Sequence, residues 1–477
     1  MSMQGALTGE RYRELLRDGR EVWLNGKRID DVTEHPAFRG TVDRFAELYD
    51  AQHNDVMTFE SPETGNRVSK SYLLPRTFDQ LKEKYANTQA WMRNSWGQLG
   101  RSPDYMANVT VGLYDMRDDL NASRAGFGDN AVAYHRYCME NDLAITHAIG
   151  DPQIDRSKTP LDDPDMALRI IEEREDGVVV RGAKQLATLA PFAHEVLCYL
   201  SASFARRGAP EFVIWFALPM NAPGLKILCR EPLGDHAHGH SHPFARLYDE
   251  QDAMLFFDDV VIPWDRVFLL HDGELAMRGL GRITPWASYS SHVRFQERMK
   301  TALGVATRCA EAIGVAGFRN VQEQLGEMTA IVELSRLLTV ATEAQHKTSP
   351  GGLVQPVGSQ AIGYFSATNS GKMADILRKI TASGLLMQPS EADLDNAELR
   401  PLLDRYMRGK DIGAPEKARL FRLAWDLVGG GFGQRQELYE YLHRGDPARN
   451  LINLHNRYDR TEIDERINRL ISEPLTP

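Results

Sequence analysis

The sequence predicts a mainly helical protein with an all-β stretch in its middle, on three observations. Residues 1–145 and those beyond about 280 are rich in helix formers with apolar side chains three and four positions apart. Residues 146–278 instead hold short runs of β-branched, aromatic and apolar residues separated by turn formers. Strands and helices do not alternate along the chain, which argues against a doubly wound dinucleotide-binding fold. The expected division is three domains, over residues 1–145, 146–278 and 279–477.

In the first stretch, residues 78–96 set Leu81, Tyr85 and Trp91 among charged helix formers, and residues 130–143 read as a second helix with Asp129 as its N-cap. In the middle, residues 195–204, 211–220, 225–229 and 253–262 read as strands. Arg207-Gly208-Ala209-Pro210 and Asn221-Ala222-Pro223-Gly224 supply turns between them. In the last stretch, helices are expected over residues 292–313, 318–347, 359–386 and 414–427. Val321, Leu325, Met328 and Val332 recur at spacings of four, three and four, which traces one helical face. Four such helices can bury their stripes against one another as a bundle.

The bulk composition narrows the function classes. The chain has 477 residues, 42% of them hydrophobic and 26% charged, with a net charge of −10. No basic stretch is present to neutralise phosphates, so a nucleic-acid binder is not expected. The N-terminus has no basic segment followed by an apolar one, and no run reaches the ~18 apolar residues of a membrane span. A cytoplasmic protein is expected. Cys138, Cys198, Cys229 and Cys309 lie far apart with no CxxC pair, so buried free thiols are expected rather than a zinc site or disulfides. Gly429-Gly430-Gly431-Phe432-Gly433 follows a helix and lacks the third glycine of a dinucleotide fingerprint. His236, His238, His240 and His242 are dense enough to suggest a metal. Alternate residues of an extended segment point to one side in a line, however, so the tract reads as a polar loop able to cover a site.

Chemistry enters with three segments. They are Gly100-Arg101-Ser102-Pro103-Asp104-Tyr105-Met106, then the run from Glu140 through His147 and Asp151-Pro152-Gln153-Ile154-Asp155-Arg156-Ser157, then Gly182-Ala183-Lys184-Gln185-Leu186-Ala187-Thr188. Asp18-Gly19-Arg20-Glu21-Val22-Trp23, Phe257-Asp258-Asp259-Val260-Val261-Ile262-Pro263-Trp264 and Gly445-Asp446-Pro447 accompany them in the same order. Nearly end to end, these segments resemble the oxygenase-component family of 4-hydroxyphenylacetate 3-monooxygenase.

The resemblance implies an acyl-CoA-dehydrogenase-like fold: a helical N-terminal domain, a β-barrel and a C-terminal four-helix bundle, assembled as a homotetramer. It implies FAD, taken as FADH2 from a separate NAD(P)H-dependent flavin reductase, with O2 as co-substrate. It also implies a flavin C4a-hydroperoxide that places oxygen ortho to the hydroxyl of a phenolic substrate. Carried over residue by residue, it makes Arg101, Tyr105 and His147 the catalytic and substrate-facing residues. Ser201, within Leu200-Ser201-Ala202-Ser203, stands where 4-hydroxyphenylacetate enzymes hold the substrate carboxylate. His147, Gln153, Arg156, Thr188, Gly445, Asp446, Pro447 and Arg449 become flavin contacts. The residue types suit the reaction. An arginine stays charged and offers a planar fork of donors to a phenolate, and a histidine can move a proton near neutral pH.

Two rivals share the fold. A 4-hydroxybutyryl-CoA dehydratase needs cysteine and histidine ligands for an iron–sulfur cluster. Here residues 96–105 carry no cysteine, and His292 has none beside it. An FAD-dependent acyl-CoA dehydrogenase needs a carboxylate base that the quoted motifs do not supply.

Overall fold

The computed structural model describes residues 5–155, 157–199, 209–234, 241–357, 360–445 and 447–472. The elements read from the sequence are present in the order expected, with shifted boundaries, and further helices and strands lie between them. The helix Phe78–Asn94 starts at a capping box, in which Thr77 and Gln80 each satisfy the other's backbone N–H. The next expected helix is Phe127–Asn141. It begins three residues earlier than expected, because Gly126 turns the chain at φ +94° and takes the cap that was assigned to Asp129; Asp129 lies in the first turn.

The strands form two open sheets among the described residues, not a closed ring. The larger runs Lys27–Ile29, Glu21–Leu24, Leu225–Cys229, Asp252–Pro263, Gly177–Thr188, Arg169–Glu173, and the smaller runs Val267–Leu270, Ile214–Pro219, Glu195–Cys198, Ile145–Ala148. Glu21–Leu24 pairs in parallel with Leu225–Cys229, so the N-terminal segment builds part of the middle sheet. A bridge from Gly150 to Gln185 joins the two sheets at one corner. Phe216 of one sheet and Phe257 of the other meet edge to face at 5.9 Å in the core between them.

The last stretch centres on one helix, Gly273–Ala312, of 40 residues. It starts well before the expected 292. Asp272 caps it, and Pro285 sits inside it. The helices Pro103–Asp115, Arg319–Glu343, Gln360–Thr381 and Ala414–Val428 all pack on it, so the expected bundle is present. Close approach is possible where Gly112 faces it, since a Cβ there would lie 2.9 Å from the Ile283 Cα. The helices Glu391–Asp395, Arg400–Tyr406, Gly431–Leu442, Pro447–Arg457 and Thr461–Ser472 were not anticipated. All four cysteines are free and buried. No helix among the described residues is long and apolar enough to cross a membrane.

Candidate active site

The segment that carries Arg101 is held from three sides. Pro103 opens the helix Pro103–Asp115 with Ser102 at its N-cap, so Arg101 lies in the preceding loop and does not share a helical face with Tyr105. The two side chains meet differently: the guanidinium carbon stands 4.5 Å from the centre of the Tyr105 ring. Buried Asp104 anchors the start of that helix. Its carboxylate accepts from Ser71 Oγ (3.0 Å), Asn87 Nδ2 (2.9 Å), Thr88 Oγ1 (2.9 Å) and Ser290 Oγ (2.6 Å). Glu250 fixes the loop itself. One carboxylate oxygen accepts from the Gly100 N–H at 2.7 Å and the other from the Arg101 N–H at 2.5 Å.

His147 comes from the strand Ile145–Ala148, paired in parallel with Glu195–Cys198. Arg101 Nη2 lies 2.7 Å from His147 Nε2, and the Tyr199 hydroxyl lies 2.9 Å from His147 Nδ1. The Tyr105 ring stands edge-on to the imidazole at 6.0 Å. Arg101, His147 and Tyr199 are all buried. Burial first, and then the positive charge of Arg101, holds the His147 pKa well below the ordinary histidine value. The imidazole is therefore neutral at neutral pH.

The opposite wall is the helix Gly431–Leu442, opened by the glycine-rich segment that lacks a dinucleotide fingerprint. Tyr439 accepts a hydrogen bond from Arg101 Nη1 and donates one to the Gly100 carbonyl at 3.1 Å. Arg435 binds Asp252 through two nitrogens (2.9 and 2.5 Å) and reaches Glu250 at 3.2 Å. Asp252 also accepts from Thr188 Oγ1 at 2.7 Å and from Arg230 at 3.1 Å. Burial opposes ionisation of Asp252, but the two arginines outweigh it and hold its carboxyl well below the usual carboxylate range.

Between these walls lies a cavity of about 220 Å³. Arg101, His147, Thr188, Arg435 and His443 give it donors and cations, while Ile149, Leu186, Leu438 and Leu442 give it an apolar face. A bulge in the pairing of Gly177–Thr188 with Asp252–Pro263 lies at this wall, and Leu186 there adopts a left-handed conformation at φ +60°. Bulges of this kind commonly re-aim side chains beside active sites. Arg101 Nε is buried without a hydrogen-bond partner among the described residues. A planar, apolar-faced ring system with acceptor atoms on its edge matches this set of groups.

Tight packing at Gly100 gives a test of the corner. A Cβ there would stand 2.5 Å from the Tyr439 ring. Gly100→Ala is expected to push Tyr439 off Arg101 and lower turnover, while the circular dichroism spectrum stays native. Unaltered turnover in a native-like Gly100→Ala protein would show that Tyr439 has no bearing on the cavity.

The structure thus brings Arg101, Tyr105, His147 and Thr188 to one place. Gln153 is exposed and does not line the cavity. Gly445 and Pro447 line a different cavity, beside Tyr364 and Arg444, and Arg449 is exposed. Within one chain these positions lie apart from the Arg101 cavity. Ser201, Arg156 and Asp446 lie outside the described residues, as do His236, His238 and His240. His242 faces Asp426, with Nδ1 at 3.1 Å from the carboxylate. His292 is buried against the Ser335 carbonyl at 3.1 Å. Tyr199, Glu250, Asp252, Arg435 and Tyr439 carry no motif and were not anticipated.

Comparison with known proteins gives a consistent result. Residues 8–269 match the family model for the 4-hydroxyphenylacetate 3-hydroxylase N-terminal region, and residues 282–472 match that for its C-terminal region. The chain is 36% identical to the 4-hydroxyphenylacetate 3-monooxygenase oxygenase component of Thermus thermophilus, over 98% of each chain. It is 33% identical to the oxygenase component of a Rhodococcus 4-nitrophenol 2-monooxygenase, covering 92% of this chain and 86% of that one. A crystal structure of a 4-hydroxyphenylacetate 3-monooxygenase oxygenase component complexed with FAD and 4-hydroxyphenylacetate superposes with a TM-score of 0.92 at 35% identity. That match covers 98% of this chain and 99% of the other. The chain belongs to the 4-hydroxyphenylacetate 3-hydroxylase family.

Proposed function

We propose that this protein is the oxygenase component of a two-component flavin-dependent monooxygenase, which hydroxylates a phenol at the carbon ortho to its hydroxyl. The observation that carries the reading is the convergence of Arg101, Tyr105 and His147 on one buried corner of a cavity whose other walls bear Thr188 and Arg435. Bound reduced FAD would supply the electrons and activate the O2 from which one oxygen atom passes to the ring. The cavity's donors and apolar face fit the flavin ring system. At about 220 Å³ it is smaller than the ~300–1,000 Å³ of most small-molecule sites, so the rest of the dinucleotide lies outside it. Gln153, Arg156, Gly445, Asp446, Pro447 and Arg449 are assigned to that outer part or to a neighbouring subunit of a homotetramer.

The chain's own residues prepare the phenol. A free phenol has a pKa near ~10, so its ionised, electron-rich form is scarce at neutral pH. The permanent charge of Arg101 favours that form, and its burial strengthens the effect. As Arg101 Nη2 turns from His147 to the phenol oxygen, the freed Nε2 of neutral His147 accepts a hydrogen bond from the phenol hydroxyl. Tyr105 and Tyr439 flank the guanidinium and hold it in place. Water reaching the reaction would divert the oxidising equivalent to hydrogen peroxide, so the bound flavin and phenol have to close the cavity over themselves. Ser201 is assigned to the far end of the substrate. The reduced flavin comes from a separate NAD(P)H-dependent reductase by diffusion in the cytoplasm.

The test is a panel assay. Protein, FAD, NADH and any flavin reductase are mixed with 4-hydroxyphenylacetate, 4-nitrophenol, tyrosine and simple phenols. A mass gain of one oxygen on at least one phenol is expected, dependent on both protein components. Acyl-CoA oxidation with an artificial electron acceptor, without any phenol product, would replace this reading.

A further inference from the structure

The sequence assigns Tyr199 no role, yet among the described residues its hydroxyl is one of two hydrogen-bond partners of the His147 ring. It reaches that place through strand geometry. In the parallel pairing His147 stands opposite Leu197, and Tyr199 follows two residues later, so both project from the same side. The Tyr199 N–H donates to the Ala148 carbonyl at 3.3 Å, which extends the pairing to this point.

The two contacts of the imidazole fix its proton. A guanidinium carries donors and no acceptor. The contact between Arg101 Nη2 and His147 Nε2, at 2.7 Å, therefore requires a lone pair on Nε2. A neutral imidazole has one N–H, so the hydrogen is on Nδ1. At 2.9 Å the Tyr199 oxygen is then the acceptor of that N–H, and its own hydrogen is free to turn elsewhere. We propose that Tyr199 is a positioning residue that holds His147 as the Nδ1–H tautomer and so keeps the Nε2 lone pair directed at the Arg101 corner of the cavity. The inference rests on the functional reading above, and it gives that reading a direction: once Arg101 Nη2 turns from Nε2 to the phenol oxygen, the hydroxyl meets an acceptor at Nε2, not a donor.

The surroundings agree. Arg101 and Tyr105 face His147 from the loop and helix at 101–105, Tyr199 faces it from the neighbouring strand, and Tyr439 lies beyond Arg101. Among the described residues no carboxylate bonds the ring, so nothing pulls it toward the doubly protonated form. Burial raises the Tyr199 pKa, so its oxygen stays a neutral hydroxyl.

The test compares the full-length wild type with Tyr199→Phe. This variant keeps the ring that stands edge-on to His147 at 5.6 Å and to Trp215 at 6.0 Å, and loses only the oxygen. With 15N-labelled histidine, the nitrogen spectrum assigns the His147 tautomer, His147→Gln identifying its signals. The wild type is expected to show Nδ1–H alone and the variant a mixture. The variant's kcat for hydroxylation should fall about 10–100-fold with the phenol KM nearly unchanged, as when a group that orients a reacting imidazole is removed. Nε2–H in the wild type overturns the proposal, and so does a pure Nδ1–H signal with unchanged kcat in Tyr199→Phe. If the wild type hydroxylates no phenol, the functional reading fails on its own, while the spectrum still decides the tautomer.

Discussion

Arg101→Ala is expected to fold normally yet form hydroxylated product about 10²–10³-fold more slowly, while it still consumes reduced flavin and O2. The magnitude is that of removing one preorganised donor aimed at developing negative charge. Folding survives because the loop is pinned by the backbone N–H groups of Gly100 and Arg101, which bind Glu250 whatever side chain follows. The chemistry does not survive, because the cation that touches His147, Tyr105 and Tyr439 at once has gone. Arg101→Lys should rescue little. A single ammonium on a flexible stem cannot span Tyr439 and His147 as the planar fork does. The measurement is product and peroxide formed per reduced flavin oxidised: peroxide should replace product nearly one for one. Undiminished product yield in Arg101→Ala would remove Arg101 from the chemistry, and undiminished yield in Arg101→Lys would remove only the need for a planar fork.

Glu250→Ala is expected to cost about 3–5 kcal/mol of stability as well as activity. Its carboxylate is fully buried, and three groups depend on it: the Gly100 N–H, the Arg101 N–H and Arg435 at 3.2 Å. Deletion leaves two buried amide donors unpaired and leaves Asp252 as the one carboxylate paired with Arg435 among the described residues. Glu250→Gln should repair only part of this. The two N–H groups bind separate carboxylate oxygens, and an amide turns an NH2 group, another donor, toward one of them. The order wild type, Gln, Ala should appear in urea unfolding midpoints and in hydroxylation rate. Wild-type stability in Glu250→Ala would mean that the Arg435 network does not hold the loop.

Legibility from the sequence followed the range of the interaction concerned. The helix Phe78–Asn94 was readable because its cap and its apolar stripe are local. The long helix was cut short in the reading, since Pro285 and the polar run before His292 look like a break, while burial against Pro103–Asp115 carries the helix through. Gly126 displaced Asp129 as a cap because the chain enters with a left-handed turn, which an oxygen-bearing cap residue alone does not reveal. The middle strands were visible as apolar runs, but their division into two open sheets depends on pairings between distant segments.

The site divides in the same way. Arg101, Tyr105 and His147 sit in contiguous motifs that the family resemblance makes readable, and they meet in space. Tyr439 is 338 positions from Arg101, and Glu250 is 149. Each is an isolated residue whose role exists only once the helix Gly431–Leu442 docks on the loop. Tyr199 depends on a parallel pairing that no local pattern announces. The expectation for Gln153 and for Gly445, Pro447 and Arg449 came from the resemblance alone, and one chain does not bring them to Arg101.

Isotopically labelled oxygen decides most directly whether the cavity at Arg101 and His147 hydroxylates a phenol. Chemically reduced FAD, the oxygenase component without any reductase, and the phenol turned over in the panel assay are mixed under oxygen-18 gas for a single turnover. One labelled oxygen in the product, on the carbon beside the original hydroxyl, is the predicted result. Label found only in hydrogen peroxide, or product oxygen derived from water, would contradict it.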